Sequence, residues 1–123
     1  MKKIRILVVE DEVIIAKYLK MELELTGYDV CGFVRSGEEA IIKAKEKNPD
    51  VILMDINLYG KMDGIDAAKE IISLKDIPII FCTGYGKKEF VERAQKLNPL
   101  AYLRKPILAE EVKEVIDAYF SEK

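Results

Sequence analysis

Five short apolar runs alternate along this chain with five stretches of helical period, and that alternation restricts the fold more than any other feature. The runs are Ile4–Val9, Asp29–Val34, the stretch from Val51 into Asp55, Ile79–Cys82 and Leu100–Leu103. Short apolar runs bounded by turn signals read as strands buried on both faces. Between them, Ile15, Leu19 and Leu23, then Ala40, Ile41 and Ala44, recur at helical spacing. So do Ile65, Ala68, Ile71 and Ile72, then Phe90, Val91, Ala94 and Leu97. Val112, Val115, Ile116, Tyr119 and Phe120 give the last helix an apolar stripe. Thr26-Gly27 ends the first helix, and Ser36-Gly-Glu-Glu39 is a capping-box pattern opening the second. Asn48-Pro49 closes that helix, Asp63 is placed as N-cap of the third, and Asn98-Pro99 closes the fourth.

Alternating strands and helices imply an α/β domain with a parallel sheet and helices on both faces. Five such units are too few for an eight-stranded barrel. What remains is a doubly wound, flavodoxin-like five-stranded parallel sheet in the order 2-1-3-4-5, with five flanking helices. At 123 residues the chain is expected to be one domain, 1–123, with a real core. In that strand order Cys31 and Cys82 stand three strand spacings apart, roughly 14 Å. A disulfide needs Cα atoms within about 7 Å, so both thiols read as small core residues.

Composition excludes several function classes. Lys and Arg total 20 and Asp and Glu total 22, so no strongly basic face is expected and no nucleic-acid contact by this domain. No apolar run approaches the roughly 20 residues of a membrane span. The opening Met-Lys-Lys-Ile-Arg-Ile-Leu-Val-Val-Glu-Asp-Glu runs into acids rather than a cleavage site, so a cytoplasmic location is expected. The chain has no histidine, which excludes His catalysis, His metal ligation and a phosphohistidine of its own.

The chemistry collects after the strands. Glu10 and Asp11 follow the first, Asp55 the third, Thr83 the fourth and Lys105 the fifth. Parallel strands bring all these ends to one side, and strands one and three flank the crevice of a 2-1-3-4-5 sheet. Three close carboxylates repel one another unless compensated. Hard oxygen ligands in that number suit Mg2+, an ammonium suits phosphate, and a hydroxyl can donate to a phosphoryl oxygen. These parts fit phosphoryl transfer, which is largely positioning and charge neutralisation, with a carboxylate as acceptor. The simpler alternatives are local. Glu10 could be a first-turn acid, Thr83 a hydroxyl bonded to its own backbone, Tyr102 an edge-strand aromatic and Pro106 a trans turn residue.

With these pieces assembled, the chain resembles the receiver domains of two-component response regulators over nearly its whole length. The matching pieces are Val-Val-Glu10-Asp11-Glu, Val-Ile-Leu-Met-Asp55-Ile-Asn-Leu, Thr83-Gly, Tyr102 and Lys105-Pro106. The resemblance implies that Asp55 is the phosphoacceptor and that Glu10, Asp11 and Asp55 hold Mg2+ with the backbone carbonyl of Asn57. It implies Thr83 as switch hydroxyl, Tyr102 as aromatic switch, and Lys105 as phosphoryl ligand joined by a cis bond to Pro106. The implied donor is a sensor histidine kinase or histidine phosphotransfer protein. The implied output is the face of helix four, strand five and helix five, through a downstream protein or a homodimer. The family often carries Pro shortly after the acceptor, whereas this loop reads Asn57-Leu-Tyr-Gly60-Lys-Met-Asp63-Gly64. Asn57 and Tyr85 occupy the positions that tune phosphoryl lifetime in that family.

Three rivals share the fold. A flavin carrier needs a phosphate loop after the first strand, where Glu10-Asp11-Glu12 would repel it. An aspartyl phosphatase places a second Asp two residues after its nucleophile, and Val13 stands there. A phosphorylation-independent binding module would usually have lost Asp11, Asp55 or Lys105, and all are present.

Overall fold

The computed structural model describes residues 3–84 and 88–121. Tyr85, and with it Gly86 and Lys87 of the loop after the fourth strand, lies outside the described residues. The chain runs β1 (Arg5–Val9), α1 (Val13–Thr26), β2 (Asp29–Val34), α2 (Gly37–Lys47), β3 (Val51–Asp55), α3 (Gly64–Leu74), β4 (Ile79–Thr83), α4 (Lys88–Gln95), β5 (Ala101–Arg104) and α5 (Ala109–Ser121). All neighbouring strands are parallel, in the order β2-β1-β3-β4-β5. This is the doubly wound sheet expected from the alternation of apolar runs.

Period-two alternation divides the strands between two cores. Leu7, Val9, Ile52, Met54, Ile79 and Phe81 face one core, which is completed by residues of α2, α3 and α4. Ile6, Val8, Val51, Leu53, Ile80 and Cys82 face the other, under α1 and α5. Every residue of β3 and β4 is buried, which explains their unbroken apolar runs. Fully burying one such Leu, Ile or Val contributes roughly 1.5–3 kcal/mol. β2 is an edge strand, and its pairing with β1 skips Cys31 between the Ile6–Val30 and Leu7–Gly32 partners. Such a bulge disrupts the template that a flat edge would offer to other chains. Both cysteines are free; Cys82 is buried, whereas Cys31 is only half-buried at the bulge rather than a full core residue.

Strand limits shift slightly from the sequence reading. β5 begins at Ala101, one residue later than expected, and β4 extends to include Thr83, placed in the following loop by pattern alone. The helix ends follow their chemistry. Gly27 takes φ 111° after α1, and Asn48 takes φ 48° after α2, the left-handed caps that Gly and Asn tolerate. Ser36 accepts from the Glu39 N–H, but its hydroxyl donates to the Glu39 carboxylate, so the reciprocal half of the expected capping box is absent. The complete box belongs to α3, where Asp63 accepts from the Asp66 N–H at 2.8 Å and Asp66 accepts from the Asp63 N–H at 3.3 Å.

Gly64 is the tightest point of the architecture. A Cβ there would lie 2.0 Å from the carbonyl oxygen of Asp55 and 2.9 Å from the Ile56 Cα. Its N–H donates to the Ile56 carbonyl at 2.9 Å, clamping the start of α3 onto the end of β3. Gly64→Ala is therefore expected to cost at least about 2–3 kcal/mol, since backbone must move to admit a methyl group. Gly27→Ala meets nothing within 4 Å and carries only the positive-φ penalty, about 1 kcal/mol. Urea unfolding of both variants checks this, and comparable losses at the two sites would refute the assigned clash.

Candidate functional site: an acidic cluster at the carboxyl end of the sheet

Each side chain of the site is delivered by the end of a parallel strand. Glu10 and Asp11 lie in the turn between β1 and α1, Asp55 is the last residue of β3, Thr83 the last of β4, and Lys105 follows β5 directly. Because β1 and β3 are adjacent, Glu10 and Asp55 come together, and both are only 2 % exposed. Two similar local bonds aim them. A Glu10 carboxylate oxygen accepts from the Glu12 N–H at 3.0 Å, and an Asp55 oxygen accepts from the Asn57 N–H at 3.1 Å. In both cases an acid at a strand end receives the amide two residues on, an Asx-type turn that uses the backbone to orient a carboxylate.

Lys105 closes the cluster. Its ammonium lies 2.8 Å from Glu10 Oε1 and 3.0 Å from Asp55 Oδ2, while Lys105 itself donates its backbone N–H to the Thr83 carbonyl at 2.8 Å. The Lys105–Pro106 peptide bond is cis. Asp11 is half-buried at the rim, and Arg35 donates to its backbone carbonyl at 3.1 Å. Glu10, Asp11 and Asp55 each offer one carboxylate oxygen, all within 4.8 Å of one another, so these three could hold a cation. Three acids thus share one lysine.

The electrostatics follow from that imbalance. Burial, and then the Glu10 charge, raise Asp55 from the ordinary 3.8 to about 7, against the pull of Lys105 and the Asn57 N–H. Val8, Leu53, Cys82 and Ile107 back the site with apolar groups, which withholds solvation from the Asp55 carboxylate. Asp11 is raised as well, by burial and by a hydrogen bond and charge interaction with Glu10. Burial disfavours the charged Lys105 ammonium, but its bonds to Glu10 and Asp55 outweigh that and raise its pKa. A compact cation would relieve the repulsion, and the hard oxygen donor set suits Mg2+.

The remaining expected positions differ in placement. Asn57 is exposed beside the cleft over Asp55, and Gly84 lines the same cleft, open enough for a Cβ to meet nothing within 4 Å. Thr83 is wholly buried at the end of β4, not exposed on a loop. Tyr102 pairs with Phe81 across β4 and β5 and packs against the core under α3 and α4, on the same sheet face as Thr83 by strand alternation. Its hydroxyl is buried without a hydrogen-bond partner among the described residues. Sequence reasoning missed one support. Arg93 of α4 bridges Asp63 and Asp66 of α3, both at 3.0 Å, and so ties the two helices beside the cleft. A lone Arg in an amphipathic helix carries no signal for a partner 30 residues away.

The response regulator receiver domain model matches residues 6–117 of this chain. The transcriptional regulatory protein PdtaR of Mycobacterium tuberculosis is 39 % identical over 102 residues, which are 83 % of this chain but 49 % of PdtaR, so the chain spans about half of that relative. The chemotaxis protein CheY of Thermotoga maritima is 35 % identical over 114 residues, 92 % of this chain and 94 % of CheY. The signal receiver domain of a modulated diguanylate cyclase from Desulfovibrio desulfuricans superposes with a TM-score of 0.89 at 38 % identity, covering 95 % of this chain and 93 % of that one. A chain of the CheX-CheY-BeF3-Mg2+ complex from Borrelia burgdorferi superposes with a TM-score of 0.85 at 27 % identity, covering 95 % and 89 %. Fold, strand-end chemistry and sequence agree, and the chain belongs to the response regulator receiver domain family.

Proposed function

We propose that Asp55 accepts a phosphoryl group from a phosphohistidine on a sensor histidine kinase or histidine phosphotransfer protein, with Mg2+ as cofactor. The observation that carries this reading is a carboxylate 2 % exposed, 3.0 Å from Lys105, with oxygens of Glu10 and Asp11 within 4.8 Å. A structural ion pair needs one acid for one base, and the surplus of buried negative charge here is costly unless it serves a ligand. The chain has no histidine, so a phosphohistidine donor must lie outside this sequence. A related chain in complex with CheX, BeF3 and Mg2+ supports the same chemistry here.

In this reading an oxygen of ionised Asp55 attacks phosphorus. A P–O bond forms as the P–N bond to the donor imidazole breaks, and the imidazole nitrogen keeps the electron pair and takes up a proton. Glu10, Asp11, Asp55 and the Asn57 backbone carbonyl would hold Mg2+, which would supply charge neutralisation at the phosphoryl oxygens. Lys105 exchanges its contact with Asp55 for a phosphoryl oxygen, and Thr83 donates its hydroxyl. The Thr83 bond, to a charged acceptor, contributes about 1.5–3 kcal/mol. Tyr102 responds because its hydroxyl, buried without a partner among the described residues, costs about 1–3 kcal/mol where it stands and so favours a reorientation. A shift of that size moves a two-state equilibrium about ten- to a hundredfold and biases the α4–β5–α5 face toward its partner.

Phosphoramidate with Mg2+ should add one hydroxylamine-sensitive phosphoryl group to the chain, and Asp55→Asn should abolish it. Undiminished labelling of that variant by mass spectrometry would remove Asp55 as acceptor. Mg2+ at ten times its Kd should stabilise the parent by about 1.4 kcal/mol in thermal unfolding, and Asp11→Asn much less. Equal shifts would place the cation elsewhere.

In buffer free of divalent cations, stability should fall as pH rises from about 4 to about 7. Across that window native Asp55, with its pKa raised to about 7, keeps a proton that the unfolded chain has lost near 3.8. Asp55→Asn should flatten this dependence and exceed the parent by roughly 1–3 kcal/mol at pH 7.5. Superimposable urea curves at that pH would show that the carboxylates do not repel. Thr83→Ala should keep phosphorylation but weaken the coupled amide shifts at Tyr102 and along α5; full shifts would route the signal differently.

A further inference from the structure

Tyr59 is an aromatic ring that the fold sets on the acceptor cleft and does not pack. Leu58 before it is buried in the core under α2, α3 and α4, and its N–H donates to the Ile56 carbonyl at 3.1 Å. Gly60 after it takes φ 106°, a turn conformation that favours glycine. Between these two points Tyr59 is turned outward and stands 81 % exposed. It belongs to no ring pair among the described residues. A lone exposed apolar residue is ordinary on a surface. Position sets this one apart. Of the eight large apolar residues exposed among the described residues, Tyr59 is the one that lines the cleft over Asp55.

The direction of phosphoryl transfer decides what reaches that ring. Asp55 is 2 % exposed, with the apolar Val8, Leu53 and Cys82 behind it. Attacking and leaving atoms stand roughly in line through phosphorus. With Asp55 attacking from the floor, the leaving group stands at the open mouth, and Tyr59 is on that mouth. A cleft of about 490 Å3 has room for a phosphoryl group with a small ring above it. Asp11, Glu12 and Asp63 line the same cleft, with Lys105 as the cation in that lining. An acidic rim and a π face attract the same kind of group, a planar cation. A protonated imidazole is such a group, and a carboxylate leaving group is not. We infer that Tyr59 positions the imidazole ring of the phosphodonor by stacking on it at the mouth of the cleft. The inference rests on Asp55 as acceptor and adds a contact specific for the leaving group. As the P–N bond breaks, the electron pair stays with the ring, and an Asp55 oxygen forms the new P–O bond. Tyr59 takes no part in these bond changes; it holds the ring in line.

Monophosphoimidazole and acetyl phosphate, each with saturating Mg2+, offer the same phosphoryl group on different leaving groups, a ring and an acetate. Mass spectrometry of the intact chain follows the rate of labelling. Tyr59→Leu keeps the bulk and removes the π face. It should slow labelling by monophosphoimidazole about three- to tenfold, and labelling by acetyl phosphate less than about twofold. Tyr59→Phe should label as the parent does with both donors. The position is exposed, so circular dichroism of both variants should match the parent. Equal slowing with the two donors overturns the inference, because Tyr59 would then shape the cleft for any phosphodonor. Unchanged rates with both overturn it too, because the leaving ring would not touch Tyr59. A parent labelled by acetyl phosphate and not by monophosphoimidazole overturns the inference alone. A parent labelled by neither removes Asp55 as acceptor and the inference with it.

Discussion

The Lys105 ammonium, 2.8 Å from Glu10 and 3.0 Å from Asp55, is the contact on which the geometry of the strand ends depends. Two carboxylates almost fully withdrawn from water cannot stay close unless a cation stands between them. Lys105 follows β5, an outer strand two places from β3, so its long side chain spans the carboxyl edge of the sheet to reach the acids. One charge is not enough for three acids. Burial, together with the residual repulsion, raises the Asp55 and Asp11 pKa values, and that repulsion is what a divalent cation and a phosphoryl group are proposed to resolve.

The scaffold around this contact is rigid where the acids are held. β3 is buried along its whole length, and Gly64 allows α3 to start directly against the Asp55 carbonyl. Arg93 then braces α3 to α4 through Asp63 and Asp66, partly exposed pairs that contribute less than about 1 kcal/mol each but tie α4 to α3 beside the cleft. Beside that frame the Tyr102 ring is packed against the core, while its hydroxyl has no hydrogen-bond partner among the described residues. The proposed switch would use this contrast between a firmly held carboxylate and a side chain whose hydroxyl is unsatisfied.

α1 illustrates how one helix serves two environments. Ala16, Leu19 and Leu23 bind it to the sheet, while Ile14, Tyr18, Met21 and Leu25 stand exposed on the opposite side. The two faces are about half a turn apart, so either can change without disturbing the other. The exposed side can thus be mutated without loss of the core face, on a helix that begins two residues after Asp11.

The alternation of apolar runs and helical periods determined the doubly wound sheet, because a run buried on both faces can only be a central strand between helix layers. The same logic determined that Glu10, Asp11, Asp55 and Lys105 would gather, since parallel strands end on one side and ionised groups are excluded from the runs themselves. Residue chemistry determined the caps at Gly27, Asn48 and Asp63, where local backbone conformation is at stake. Contacts between residues far apart in sequence were decided only by the tertiary structure. Arg93 on Asp63, the burial of Thr83, the orientation of Tyr102 and the absence of room beside Gly64 all depend on how α3, α4 and β5 pack, and packing has no local signature. The pKa values belong to this second class as well: an aspartate in a sequence is an ordinary acid, and Asp55 rises to about 7 only because the fold removes its water and sets Glu10 beside it.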